Sequence, residues 1–170
     1  MNDESSPDRK TTTKPIHKNI TRYSPAMPSF QDKIVVCTGG GSGIGKALCL
    51  AFARAGASVV VADLKGAETV REKLHDPEKH MSAVVDVTDA NAVGRLVRQV
   101  KRRYHRIDVY CSNAGIMVPS DPNDDSCVKH SLADWNKIFQ VNVLSHGEFT
   151  SCYVVLVGRR SHSLCFLLPF

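Results

Sequence analysis

Residues 33–46, Lys-Ile-Val-Val-Cys-Thr-Gly-Gly-Gly-Ser-Gly-Ile-Gly-Lys, constrain this chain more than any other segment. A short apolar run meets a cluster of glycines, and the apolar period of a helix begins directly after it. The order reads as a strand, a tight turn and a helix start. Glycine removes the Cβ that would hold a ligand away from the backbone, and a helix N-terminus offers unpaired N–H donors with positive partial charge. Such a turn suits paired phosphates. The strict G-x-G-x-x-G spacing is not met, because position 44 is isoleucine; the pattern is Thr38-Gly39-x-x-x-Gly43-Ile44-Gly45.

The flanks extend the pattern. Ile44, Ala47, Leu48, Ala51, Phe52 and Ala55 recur at helical spacing and predict one buried stripe of a helix over 43–55. Gly56 suits the C′ position that ends it. Ser58–Ala62 reads as a second buried strand closed by Asp63, which lies 24 residues after Gly39. An acidic residue at about that distance is the one expected to bind an adenosine ribose in a dinucleotide-binding βαβ unit.

Strands and helices go on alternating. A short charged helix is predicted over 66–75, and Met81–Val85 as a third strand ending at Asp86. A helix follows, with Val93, Leu96, Val97, Val100 and Tyr104 on its apolar face and Thr88 as N-cap. Ile107–Cys111 is the fourth strand, leading into Ser112-Asn113-Ala114-Gly115. This alternation predicts right-handed βαβ units and a parallel sheet with helices on both faces. The Pro- and Asp-rich stretch 116–130 reads as a loop leaving the carboxyl edge of the fourth strand, where open α/β sheets bind ligands. Ser131 and Asp134 then form a short capping box, opening a helix with Trp135, Ile138, Phe139, Asn142 and Val143 on one face.

Four motifs in this order, Thr38-Gly-Gly-Gly-Ser-Gly-Ile-Gly45, Asp86-Val87, Ser112-Asn-Ala-Gly115 and Val141-Asn142-Val143, resemble the N-terminal half of a short-chain dehydrogenase/reductase over residues 30–145. The resemblance implies a Rossmann-like, doubly wound parallel sheet in a three-layer α/β/α sandwich. It also implies hydride transfer between a nicotinamide cofactor, NAD(P), and an alcohol or carbonyl substrate. By it, Gly39, Ser42, Gly43, Ile44 and Gly45 would border the pyrophosphate, and Asp86 and Val87 would touch the adenine. Asn113, Ala114 and Gly115 would line the cofactor. Asn142 would be the catalytic-site asparagine, bonding backbone and ordered water beside the family's lysine. The bland alternatives are a strand-ending turn for Asp86 and a backbone-satisfied buried amide for Asn142. The Asp63 carboxylate can accept from both ribose hydroxyls and repels a 2′-phosphate, so NAD is expected over NADP, with Lys46 and Lys65 softening the repulsion.

The family's chemistry also uses a serine, a tyrosine and a lysine four residues after that tyrosine, which lowers the pKa of the phenol. Tyr23, Tyr104, Tyr110 and Tyr153 are followed at that distance by Met27, Asp108, Ala114 and Val157. The sequence is therefore expected to stop resembling the family near Ser145, truncated after the fourth strand and its following helix. Residues 148–170 are then an aberrant apolar and basic tail, unrelated sequence after a departure near Leu144–Gly147. Three readings stand: an oxidoreductase represented by an incomplete chain, a catalytically inactive NAD-binding module, and a non-functional fragment. A homo-oligomer is doubtful for a chain of this kind, although relatives assemble through helices that include 131–147.

Composition narrows the remainder. At 170 residues with 42% hydrophobic and 23% charged residues, the chain is one soluble-type domain. The net charge of +5 is dispersed, which argues against nucleic acid. Arg98, Lys101, Arg102, Arg103 and Arg106 fit a helix C-terminus, where cations are favoured. Six cysteines without a C-x-x-C pair predict reduced thiols, with Cys37, Cys49 and Cys111 as small buried hydrophobes. Scattered histidines predict no metal site. No run reaches the length of a membrane span. Residues 1–29 read as a disordered polar tail whose early acids argue against a transit peptide, so the cytoplasm is favoured and organelle targeting stays open.

Overall fold

The structure, a computed structural model, describes residues 29–117, 131–157 and 164–167, with side chains described through residue 152. The N-terminal tail, most of the 116–130 loop and the extreme C-terminus lie outside these residues. Five parallel strands form one sheet in the order β3-β2-β1-β4-β5: β1 Ile34–Thr38, β2 Ser58–Asp63, β3 Met81–Val84, β4 Val109–Ser112 and β5 Leu164–Leu167. The helices are α1 Gly43–Arg54, α2 Ala67–Arg71, α3 Ala90–Tyr104, α4 Leu132–Phe139 and α5 Ser145–Val157. The expected Rossmann-like α/β fold is what forms. The strand order reverses between β1 and β4, and the crevice above that reversal is where doubly wound sheets take ligands.

All five residues of β1 are buried, as a central parallel strand requires. Their side chains alternate between two cores. Ile34 and Val36 join Val60, Ala62, Leu96, Val97, Val100, Tyr110 and Phe149 on the side of α3 and α5. Val35 and Cys37 join Cys49, Val59, Val61, Val70, Leu74 and Cys111 on the side of α1 and α2. The three cysteines are buried, as expected.

Local signals decide most boundaries. Gly56 has φ +96°; its N–H bonds the Ala53 carbonyl and the Ala57 N–H bonds that of Phe52, a Schellman closure of α1. Ser131 and Asp134 form the expected capping box of α4. The N-cap of α3 is Asp89 rather than Thr88: the Asp89 carboxylate accepts from Asn91 N–H, while Thr88 is drawn back onto Asp86. α2 is shorter than the predicted 66–75, and β3 ends at Val84 rather than Val85.

One further expectation is corrected. The buried side of α1 is not the predicted stripe. Ile44 is 64% exposed and Ala47 and Ala51 are exposed, while Gly45 and Cys49 are the buried residues, flanked by Leu48 and Phe52. The helix begins so close to β1 that only a glycine fits underneath, and this rotates the contact line. Past Ser145, α5 runs on to Val157 and packs on α3, and β5 adds to β4 in parallel register, Val109 opposite Leu164. Tyr153–Val157 is helical despite its β-branched run, because α5 is anchored upstream by Phe149, whose ring stacks on Tyr110.

Candidate functional site

The glycine turn sits at the carboxyl end of β1 and is locked from below. Gly39 (φ +65°) leaves no room for a side chain: an added Cβ would stand 2.8 Å from the Ala114 Cα. At Gly45 it would stand 2.1 Å from the Gly39 carbonyl oxygen. At Gly43 (φ +50°) it would meet nothing within 4 Å, so the turn is closed toward the sheet and open outward.

The start of α1 differs from the starts of α3 and α4. No side chain caps it, and its first turn, like that of α3, holds no acidic residue. α3 and α4 are capped by Asp89 and Ser131. First-turn N–H donors of α1 thus face outward beside Ser42, Gly43 and Ile44, all exposed. Uncapped donors with the positive end of the helix dipole favour an anion there. The donor set fits a pyrophosphate.

Asp63 closes the side of the turn. Its carboxylate accepts from Gly41 N–H at 2.8 Å and from Lys65 N–H at 3.1 Å. It therefore braces the turn as well as standing at the end of β2, where a ribose-binding acid is expected. Asp86, two residues past the end of β3, accepts from the N–H and hydroxyl of Thr88. The Thr88 hydroxyl, then its N–H, hold the Asp86 carboxyl below its ordinary range. Val87 follows, half-buried.

The other wall comes from β4. The side-chain amide of Asn113 donates to the carbonyls of Thr38 (3.1 Å) and Gly39 (3.3 Å). The Thr38 hydroxyl accepts from Asn113 N–H at 3.2 Å and Ala114 N–H at 3.3 Å, and donates to the Cys111 carbonyl at 3.4 Å. One hydroxyl thus ties the glycine turn to the Ser-Asn-Ala-Gly segment. That role was not foreseen from the sequence; a buried threonine immediately before the glycines was the available signal.

Asn142 lies in a π-helical turn, Gln140–Leu144, between α4 and α5. Its side chain accepts from Ile116 N–H at 2.8 Å and donates to the Ile116 carbonyl at 2.9 Å. The amide is satisfied by backbone and fixes the chain leaving β4. π-turns concentrate at functional sites, and periodicity does not reveal them. One turn on, His146 Nδ1 meets the Ser112 hydroxyl, which also donates to the Tyr110 hydroxyl at 3.3 Å. The four-residue step from Asn142 to His146 was the sequence signal for this second rung.

Gly39, Ser42, Gly43, Ile44, Gly45, Asp63, Asn113, Ala114 and Gly115 thus lie at or just past the carboxyl ends of β1, β2 and β4, with the Asn142 side-chain carbonyl oxygen 3.5 Å from the Cβ position of Gly115. Asp86 and Val87 stand at the end of β3, next to β2. Among the described residues no cluster of His, Cys, Asp or Glu is arranged to hold a metal ion, and no helix is long and apolar enough to cross a membrane. α4 leaves Leu132, Trp135 and Phe139 exposed, and Val143 beyond it.

Comparison with known proteins agrees with this arrangement. The family model for short chain dehydrogenases matches residues 33–158, past the point where the sequence alone suggested that the resemblance ends. A 1-deoxy-11-beta-hydroxypentalenate dehydrogenase of Streptomyces arenae is 37% identical over 138 residues, covering 78% of this chain and 48% of the relative. A 3-oxoacyl-(acyl-carrier-protein) reductase of Thermotoga maritima is 35% identical over 139 residues, covering 79% and 54%. Among solved structures, a 3-ketoacyl-(acyl-carrier-protein) reductase from Brucella melitensis complexed with NADH superposes with a TM-score of 0.66 at 26% identity, covering 75% of this chain and 50% of that one. The chain spans about half the length of the relatives it matches. On the matched span, the strand order and the glycine turn together, this chain belongs to the short-chain dehydrogenase family.

Proposed function

We propose that this chain binds a nicotinamide dinucleotide, NAD(H) in preference to NADP(H), and is the cofactor-holding half of an oxidoreductase acting on an alcohol or carbonyl substrate. The observation that carries the reading is the uncapped, acid-free N-terminus of α1 standing over the reversal of strand order. When bound, the nicotinamide supplies the hydride. The chain's own residues hold and orient it. Gly39, Ser42, Gly43, Ile44 and Gly45 present backbone to the pyrophosphate, and Asp63 accepts from the adenosine ribose. Asp86 and Val87 border the adenine, and Asn113, Ala114 and Gly115 form the floor toward the nicotinamide. Asn142 keeps the strand exit at Ile116 in place, close to where a reacting carbon would lie. NADH in the structures of the Brucella reductase and of a 7 alpha-hydroxysteroid dehydrogenase supports this reading by family likeness. Free cysteines among the described residues support a reducing compartment, the cytoplasm.

A second reading, binding without turnover, is favoured by one observation: none of the four tyrosines within these 170 residues is followed four positions later by lysine. A phenol with an ordinary pKa of about 10 is a poor base at neutral pH without a neighbouring cation. Calorimetry on the folded chain tests both readings. Heat of association with NADH, without substrate turnover, supports the binding module; turnover with added alcohols or ketones supports the enzyme. No heat with NADH or NADPH refutes both. Asp63→Ala separates the ribose from the brace. Loss of the Gly41 contact weakens both nucleotides alike, whereas lost ribose bonds weaken NADH alone, by about tenfold for charge-assisted bonds of this type. Equal losses refute the NAD preference.

A further inference from the structure

Three thiols lie directly beneath the glycine turn, and the proposed hydride chemistry uses none of them. Cys37 on β1 and Cys111 on β4 are register partners in a parallel pair, so their side chains leave the same face of the sheet. Cys49 of α1 comes down onto them. The neighbouring Cys111 and Cys49 thiols, together with burial, push the Cys37 thiol well above its ordinary range. Its sulfur also lies 3.7 Å from the carbonyl oxygen of Gly45, inside the turn. A Cβ at Gly40 would stand 3.1 Å from the Cys49 sulfur. The turn is therefore a thin backbone lid over a thiol cluster.

We propose that Cys37 and Cys111 are a hydroperoxide-oxidisable pair whose disulfide unseats the turn, the proposed cofactor effect resting on the dinucleotide reading above. One thiol sulfur attacks a peroxide oxygen. The O–O bond breaks, the departing hydroxide takes the thiol proton and leaves as water, and a sulfenic acid remains. The second thiol sulfur attacks the sulfenic sulfur, the S–O bond breaks, and hydroxide leaves with the second proton as another water. Two thiols lose two electrons in total, and the peroxide becomes two waters.

Geometry allows the bond and sets its effect. Neighbouring strands stand about 4.8 Å apart, within the Cα separation that a disulfide accepts, whereas its Cβ atoms prefer about 3.8 Å. Closing the bond draws the two Cβ atoms together by roughly 1 Å and tilts β1 against β4 at this rung. The next residues along are Thr38 and Ser112-Asn113, where the Thr38 hydroxyl already holds Asn113 and Ala114 at 3.2–3.3 Å. A tilt of that size misaligns those bonds. Cys37 and Cys49 are fully buried and Cys111 nearly so, so peroxide gains entry when the turn lifts. A dinucleotide seated on the turn slows that lifting.

The test treats the reduced full chain with hydrogen peroxide and maps non-reduced peptides by mass spectrometry. The expected product is a Cys37–Cys111 crosslinked peptide lighter by two hydrogens and reversed by dithiothreitol. NADH affinity is expected to fall about tenfold on oxidation and to recover on reduction. Bound NADH is expected to slow crosslinking severalfold. Cys111→Ser abolishes the crosslink and Cys152→Ser keeps it; if the serine variant does not fold, Cys111→Ala takes its place. A Cys37–Cys49 crosslink, or oxidation confined to other cysteines, overturns the pairing. An oxidised chain that binds NADH as well as the reduced one overturns the coupling. If the reduced chain does not bind NADH at all, the proposed function fails, while the peptide map still decides the pairing.

Discussion

Thr38→Val isolates the hydroxyl that joins the glycine turn to β4. Valine has nearly the same shape, so packing is retained at a site only 2% exposed. What disappears is the acceptor for the N–H groups of Asn113 and Ala114, and the bond to the Cys111 carbonyl. A buried donor left without a partner costs about 1–3 kcal/mol. Both N–H groups are part-buried, so about 1–2 kcal/mol applies to each, giving about 2–4 kcal/mol together. With a urea slope of about 2 kcal/mol/M, the unfolding midpoint falls by roughly 1–2 M. Thr38→Ser keeps the hydroxyl and loses one methyl, at about 1 kcal/mol. The assay is urea unfolding followed by far-ultraviolet circular dichroism on wild type and both variants. If the valine variant is as stable as wild type, or the serine variant is as damaged as the valine one, the hydroxyl is not what holds the two strand ends together.

The two outer glycines of the turn should separate fold from ligand. Gly45→Ala sets a Cβ against the Gly39 carbonyl and should lower stability by several kcal/mol, whereas Gly43→Ala meets open space and should cost only about 1–2 kcal/mol for its left-handed backbone, yet still weaken NADH binding. Thermal melts with and without NADH check both; a Gly43→Ala protein that binds NADH normally would remove the phosphates from that side. His80 should make the fold acid-sensitive. Its Nδ1 accepts from Val59 N–H at 3.0 Å, its Nε2 lies 2.7 Å from the His75 carbonyl, and burial lowers its pKa below the ordinary 6.5. The unfolded chain therefore protonates first, so stability is full above about pH 6.5, declines below it by up to about 1.4 kcal/mol per pH unit, and levels off once the folded histidine is itself protonated. Denaturant titrations from pH 8 to pH 5 should show this decline in wild type and a shallower one in His80→Asn; identical slopes would exclude His80.

Much of this molecule is legible in its residues, and the misses have physical causes. Ser58–Asp63 was delimited to the residue because a buried parallel strand is a continuous apolar run with a polar stop. Gly56 and Ser131 were legible because capping chemistry is local. The face of α1 was misread because an apolar count gives no weight to Gly45, the one residue that fits against the Gly39 carbonyl. Thr88 and Asp89 are both good caps, and a bond from Thr88 back to Asp86 decided between them. The π-turn at Asn142 depends on a long-range pair of bonds to Ile116, which no periodicity encodes. β5 was missed because its few residues gain strand geometry from β4, far away in sequence. At the candidate site, motif spacing marked residues that the fold brings to the strand ends, whereas the ties between them, Thr38 to Asn113 and Ser112 to His146, exist only once the fold has formed.

The central position of β1 also bears on how the polypeptide emerges from the ribosome. β2 and β3 follow β1 promptly, so one of its edges is satisfied early, but the other waits for β4. Thr38 and Ser112 are 74 residues apart, a delay of roughly 4–15 s at translation speeds of about 5–20 residues per second. Throughout that interval Val35, Val36 and Cys37 present an open apolar ledge to solvent. Nascent-chain chaperones thus have a defined window and a defined address on this polypeptide.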